Sequence, residues 1–301
     1  MRFEKTDRVP HFESVFQLEQ EVFGMSLPWH AYTNAATRGE REAAIATCMP
    51  VYEKIVERYA WDALAVWFPW GDPDAIVAAK KTFGDDIAVG GMVGGGLWAI
   101  EIIHDWMDFA TKLAERRDQI HAEAEAMCVK ACAAIDAQAE AGADFFYLPH
   151  DVGFNGGCFI SPEDFREIVT PYMRRMIDRV KHHGKWAIFH SDGQLMSILD
   201  QILECEPHGL QSIDPMAGMD IAEVKKITHG KMALMGNVQC NLLQEGPDEA
   251  IRKSARYCLE HASKGGGHIF STSNTIFAGM PVRNYEVMLD ELRRFNQERT
   301  M

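Results

Sequence analysis

A histidine and an aspartate two residues apart, His190 and Asp192, follow the apolar run Trp186–Phe189 and precede Gly193. An imidazole beside a carboxylate suits two kinds of chemistry: proton transfer near neutral pH and coordination of a divalent metal. The apolar run reads as a short strand covered on both faces, and residues two apart on a continuing strand share a face. A competing reading makes Asp192 the cap of a helix that opens at Gln194-Leu195.

Other apolar runs end in polar residues of the same kinds. Glu13 ends Arg8-Val9-Pro10-His11-Phe12, and Asp72 closes the loop after Asp62–Trp67. His150 and Asp151 follow Asp144–Leu148, and Asp214 ends Leu210–Ile213. Asn237, Gln239 and Cys240 follow Met232–Gly236, and Ser271, Ser273 and Asn274 close the run from His268. Each alone has a structural reading as well: Asp214-Pro215 makes a turn, Asn237 serves loop backbone, Cys240 packs as a small hydrophobe. Zinc accepts histidine, cysteine and carboxylate ligands, so His190, Asp192 and Cys240 form a candidate zinc set. Neither CxxC nor HExxH occurs, and without a GxSxG elbow a serine hydrolase is disfavoured.

The elements that position these residues alternate regularly. Eight apolar runs are each followed by helical sequence, the first being Arg8–Glu13. Helices are expected from Cys48 to Tyr59, from Arg117 to Ala141, and from the N-cap Ser161 with Pro162 toward Gly184. Strand–helix alternation over one chain of this size predicts an α/β fold, a single (β/α)8 TIM barrel over residues 1–301 with an N-terminal extension and loop insertions. A doubly wound sheet is disfavoured, since no dinucleotide fingerprint follows the first strand. The glycine-rich stretch Gly90–Gly96 lacks the lysine of a P-loop and reads as a flexible loop.

Composition narrows the function classes. The chain has 301 residues with 47% hydrophobic and 25% charged residues, ample for a packed core. A net charge of −14 argues against nucleic acid as a partner. No run of apolar residues reaches membrane-spanning length, and no apolar signal segment opens the chain. Seven scattered cysteines do not resemble a disulfide framework, which favours a cytoplasmic location.

Several spaced motifs then bring a family into view. They are Ser161-Pro162-Glu163-Asp164-Phe165 with Pro171-Tyr172, His190-Ser191-Asp192-Gly193, Ile213-Asp214-Pro215, Gly236-Asn237-Val238-Gln239-Cys240 and the stretch from Ser271 to Asn284. In this order they resemble the uroporphyrinogen decarboxylase superfamily, including its corrinoid-dependent methyltransferase branch, over about residues 140–290. Weaker similarity at Arg8-Val9-Pro10 and Trp61-Asp62-Ala63 extends it forward. The resemblance implies a (β/α)8 barrel.

The departures from the family pattern select the branch. Porphyrinogen decarboxylases carry an arginine-rich segment near the N-terminus, where this chain has Phe12-Glu13-Ser14-Val15-Phe16. Their aspartate after the second strand is replaced here by Trp67-Phe68-Pro69. Thiol-methylating relatives bind zinc through an HxCG motif and a later cysteine. This chain keeps His190 and Gly193, substitutes Asp192 for the cysteine, and reads Ser271-Thr272-Ser273-Asn274 at the later position.

The resemblance therefore implies a methyltransferase component of an O-demethylase system. It would take a methyl group from a methoxylated donor, aromatic or similar and small, and pass it to a corrinoid (cobalamin) carried by a partner protein. His190 and Asp192 are the expected catalytic residues, with zinc held by His190, Asp192 and Cys240 if a metal is present. Glu13, His150, Asp151, Gln239 and Asn274 are expected to bind substrate, Phe16, Trp67, Phe68, Trp70, Trp98, Phe154 and Phe277 to supply apolar walls, and a homodimer is the assembly considered. The alternative is a decarboxylase-like lyase acting on a small carboxylated substrate without metal.

Overall fold

Seven runs of mostly apolar sequence form one parallel sheet in the computed structural model, which describes Phe3 and residues 6–300. The chain-order strands are β1 (Ala63–Ala65), β2 (Ala88–Met92), β3 (Phe145–Pro149), β4 (Gly153–Phe154), β5 (Gly157–Cys158), β6 (Trp186–Ser191), β7 (Gly209–Ser212), β8 (Ala233–Val238) and β9 (His268–Thr272). The sheet runs β1-β2-β3-β6-β7-β8-β9, while β4 and β5 make a small antiparallel hairpin. β7 and β8 are buried along their whole length, as strands covered on both faces must be. Helices connect successive strands, among them Pro73–Phe83, Arg117–Glu140, Thr170–His182 and Asp248–Ala262.

The expected first strand is the main correction to the closed eight-stranded barrel. Residues 10–16 lie beside β9 through two isolated parallel bridges, His11 to Phe270 and Phe16 to Ile276. Phe270 N–H donates to Pro10 O at 2.8 Å, and Asp62 N–H donates to His11 O at 2.9 Å. The segment thus touches both edges of the curled sheet without forming a ladder. Pro10 has no N–H to give. The N–H of His11 is taken by the Asp62 carboxylate at 2.8 Å, and its ring Nδ1 pairs with Phe270 O at 2.8 Å. Side chains have replaced the backbone pairing that would complete the ring.

Two further expectations shift. The helix expected from Cys48 begins ten residues earlier and spans Arg38–Tyr59. Its start is a capping box, in which Thr37 Oγ1 accepts from Glu40 N–H and the Glu40 carboxylate accepts from Thr37 N–H. The glycine-rich loop is partly strand: Gly90 and Gly91 belong to β2. A Cβ on Gly90 would lie 2.3 Å from the Phe145 ring, and one on Gly91 would lie 2.4 Å from Gln138 Oε1. These glycines make room for neighbouring side chains rather than freedom for a loop.

Candidate active site

The C-terminal ends of β3, β6, β7 and β9 bring the polar residues together. In register, His190 on β6 stands opposite Pro149 on β3 and Gln211 on β7, and Ser191 stands opposite Ser212. The His190 side chain is stacked on Tyr147 of β3, with ring centres 5.5 Å apart.

Gln211 determines how that imidazole is presented. Its Nε2 faces the carbonyls of Thr272 and Asn274 at 3.4 and 3.3 Å, which turns Oε1 toward Tyr147 and His190. Tyr147 donates its hydroxyl to this oxygen at 2.6 Å, and His190 Nδ1 pairs with the same atom. An amide oxygen only accepts, so Nδ1 carries the hydrogen. Nε2 is left as the working nitrogen, 3.6 Å from Asp151 Oδ1.

Asp192 does not cap a helix, because the next helix begins at Leu199. Its carboxylate is held at both oxygens: Ser212 Oγ donates to Oδ1 at 2.6 Å, and Asn274 Nδ2 donates to Oδ2. Its backbone N–H donates to Asp151 Oδ1 at 3.0 Å. Gly193 turns the chain with φ +87°, and a Cβ there would lie 2.1 Å from Gly153 O. The loops after β3 and β6 therefore meet backbone to backbone. Asp151, His190 and Asp192 each contribute an atom to a group in which all three lie within 4.8 Å of one another.

Negative charge is concentrated here. Burial pushes the Asp192 carboxyl above its usual range, with His190 and the Ser212 hydrogen bond opposing and Asp151 and Asp214 adding to the rise. Glu101 accepts from Asp151 N–H at 3.2 Å, and burial followed by repulsion from Asp151 raises it too. Three carboxylates around one imidazole favour a cation or a proton at the centre.

The remaining expected residues are placed differently. Asn274 is at the site, through its bond to Asp192. Glu13 is fully buried and accepts from Thr272 N–H and Oγ1, and burial pushes its carboxyl up to about 8. His150 is also buried; Gly96 N–H donates to its Nε2 at 3.1 Å, and burial lowers its pKa to about 4. Both act beneath the surface. Gln239 precedes the helix Cys240–Glu245 and donates its N–H to Ser254 Oγ at 3.2 Å. Cys240 lies against Ser273 Oγ at 3.6 Å, outside the group formed by Asp151, His190 and Asp192, and burial pushes its thiol up to about 11.

Asp214 caps the short turn Pro215–Ala217, and Asn237 donates to Ile213 O at 2.8 Å; both follow their structural readings. Of the aromatic residues, Phe16, Trp67, Phe68 and Trp98 are core, Phe277 packs partly buried against it, and Trp70 and Phe154 are exposed. Tyr147, Gln211, Ser212 and Glu101 are the site residues that sequence reasoning missed. The available signal was a glutamine and a serine inside the apolar run Gly209–Ser212.

The family described as Uroporphyrinogen decarboxylase (URO-D) matches residues 73–295. The chain is 28% identical over 172 residues to a uroporphyrinogen decarboxylase of Cupriavidus necator, covering 54% of this chain and 45% of that one. It is likewise 28% identical over 149 residues to the enzyme of the same name from Aliivibrio salmonicida, covering 47% and 40%. The chain thus spans less than half the length of these curated relatives. Among solved structures, a methyltransferase from Methanosarcina mazei aligns with a TM-score of 0.76 at 17% identity, covering 97% of this chain and 95% of that one. A B12-independent methionine synthase from Shewanella sp. W3-18-1 aligns with a TM-score of 0.57 at 8% identity, covering 88% and 90%. At these identities the structural likeness is one of fold. Among the described residues, no helix is long and apolar enough to cross a membrane.

Proposed function

Because the chain belongs to the uroporphyrinogen decarboxylase family, and from that premise, we propose that it is the methyltransferase component of a corrinoid-dependent demethylation system. It takes a methyl group from a small methoxylated donor, and the acceptor is the corrinoid of a separate protein. The observation that carries this reading is the oriented imidazole of His190 between Asp151 and Asp192.

A methyl ether is inert because its oxygen leaves poorly unless it is protonated or coordinated. His190 Nε2 is the nitrogen aimed at the group, and in its protonated form it gives a proton to the leaving oxygen as the methyl–oxygen bond breaks. Gln211 fixes which nitrogen does this, and Asp151 stands 3.6 Å from that nitrogen. The donor set of one imidazole and two carboxylates also fits a divalent cation such as zinc, held by His190, Asp192 and Asp151. When bound, the metal would polarise the same oxygen. Exposed Phe154, in the β4–β5 hairpin, and Trp70, in the loop after β1, suit an aromatic donor.

The rival lyase reading has one point in its favour, the decarboxylase names of the sequence relatives. Against it, a carboxylated substrate would meet Glu101, Asp151 and Asp192, which repel it.

The test is methyl transfer to free cob(I)alamin from a panel of methoxyaromatics, methylamines and methyl thioethers. Methylcobalamin formed from a methoxy donor is the expected result. None from any donor, with CO2 released from a carboxylated substrate, overturns the proposal in favour of the lyase. Zinc in the purified protein that disappears in His190→Ala and Asp192→Asn supports the ligand set, and unchanged metal content removes it.

A further inference from the structure

We propose that the opposite end of the sheet holds a second binding site, for a small amphipathic carboxylate with an apolar chain or ring. A cavity of about 670 Å3 opens where the strands begin, far along them from His190 and Asp192. Its size falls within the range of small-molecule sites. Barrel-like sheets normally fill this region with bulky side chains. Here the first residues of β1, β2 and β8 are alanines, Ala63, Ala88 and Ala233, and Phe145 and Trp186 form walls.

Among the described residues, the charges at the cavity do not balance. Its two acids are already paired, Asp62 with Arg8 at 2.9 Å and Asp144 with Lys80 at 3.0 Å. His268, also in the lining, is engaged at both ring nitrogens by Ser263 and Gly236 O, and burial lowers its pKa to about 4, so it brings no charge. Two cations remain. Half-buried Lys185 has no carboxylate or hydrogen-bond partner for its ammonium among the described residues. Among the described residues, Arg299 reaches Thr6 O at 3.4 Å and the Phe295 ring at 6.0 Å and pairs with no carboxylate. A half-buried cation beside an apolar cavity calls for an anionic head on an apolar body.

The site does not depend on the methyl-transfer reading, and its test uses no activity. Octanoate, octanol and octylammonium are titrated into the full chain by calorimetry, with thermal unfolding alongside. Octanoate is expected to bind saturably and raise Tm, octanol to bind roughly tenfold more weakly, and octylammonium not to bind. Lys185→Gln should bring octanoate down to the affinity of octanol, leaving octanol unchanged. Ala88→Leu should weaken both by about tenfold or more by filling the cavity. No saturable heat with octanoate, equal binding of octylammonium, or full octanoate affinity in Lys185→Gln overturns the proposal. Lys185 is partly exposed, so that variant reports even where Ala88→Leu fails to fold.

Discussion

The two ends of the sheet are built from the same strands on opposite plans. β6 begins at Trp186, a wall of the apolar cavity, and ends at His190 and Ser191 in the polar group. At the C-terminal end, Asp192, Gln211, Ser212 and Asn274 hold one another, so the imidazole has one orientation. At the N-terminal end the acids are neutralised by local basic partners, and alanines leave space. One end is organised by hydrogen bonds that specify geometry, the other by the volume of its side chains. Changes at the first should alter chemistry with little effect on stability, and changes in side-chain volume should do the reverse.

The sharpest way to break this contrast is His190→Ala. Methyl transfer is expected to fall by about 10²–10⁴-fold with Tm nearly unchanged. An activity loss that merely follows unfolding in parallel melts would erase the distinction. Next is Gln211→Leu, which releases Nδ1 and should lower activity or metal affinity by roughly 10–100-fold. Gln211→Glu keeps an acceptor for Nδ1 and should recover much of the loss; equal damage from both variants would mean that orientation of the ring is not what Gln211 supplies.

Gly90→Ala tests the volume side. A methyl group driven into the Phe145 ring should cost about 1–3 kcal/mol in urea unfolding, with activity per folded molecule retained. A stable variant would restore the flexible-loop reading. The most gradual effect belongs to Glu13. Its carboxyl is raised to about 8 in the folded chain from 4.5, so the folded state keeps a proton that the unfolded state releases. The stability this contributes is complete below the unfolded pKa and is lost as pH rises through the folded one. Between about pH 5 and 8 the slope stays under the one-proton limit of ~1.4 kcal/mol per unit, and Glu13→Gln should flatten it. An identical slope in the variant would place the titration elsewhere.

What the sequence made legible follows from which signals are local. The strands β1, β2, β3, β6, β7, β8 and β9 of the main sheet, and the helix Arg117–Glu140, announce themselves by apolar runs and turn residues, while the β4–β5 hairpin does not. His190, Asp151, Asp192 and Asn274, which the structure brings together, are legible because they end or follow such runs. Gln211 and Tyr147 were not, because a strand interior gives no sign that a glutamine will accept from residues on two neighbouring strands. Glu13 and His150 look like site residues by position, yet burial, which no local pattern reports, sets them below the surface. The first strand failed for a related reason: the side chains of Asp62 and His11 claim the groups a ladder would have used.

The contact between Gly153 and Gly193 has a consequence for how the site can diversify. Two loops that touch through bare backbone leave no room for longer or branched versions of either, so neither tolerates growth without the other retreating. New ligand preferences must then be written into the loops after β1 and β2, around Trp70 and Glu101, while the pair beside His190 stays short. Selection for altered substrates, or a designed library, should concentrate its accepted changes there.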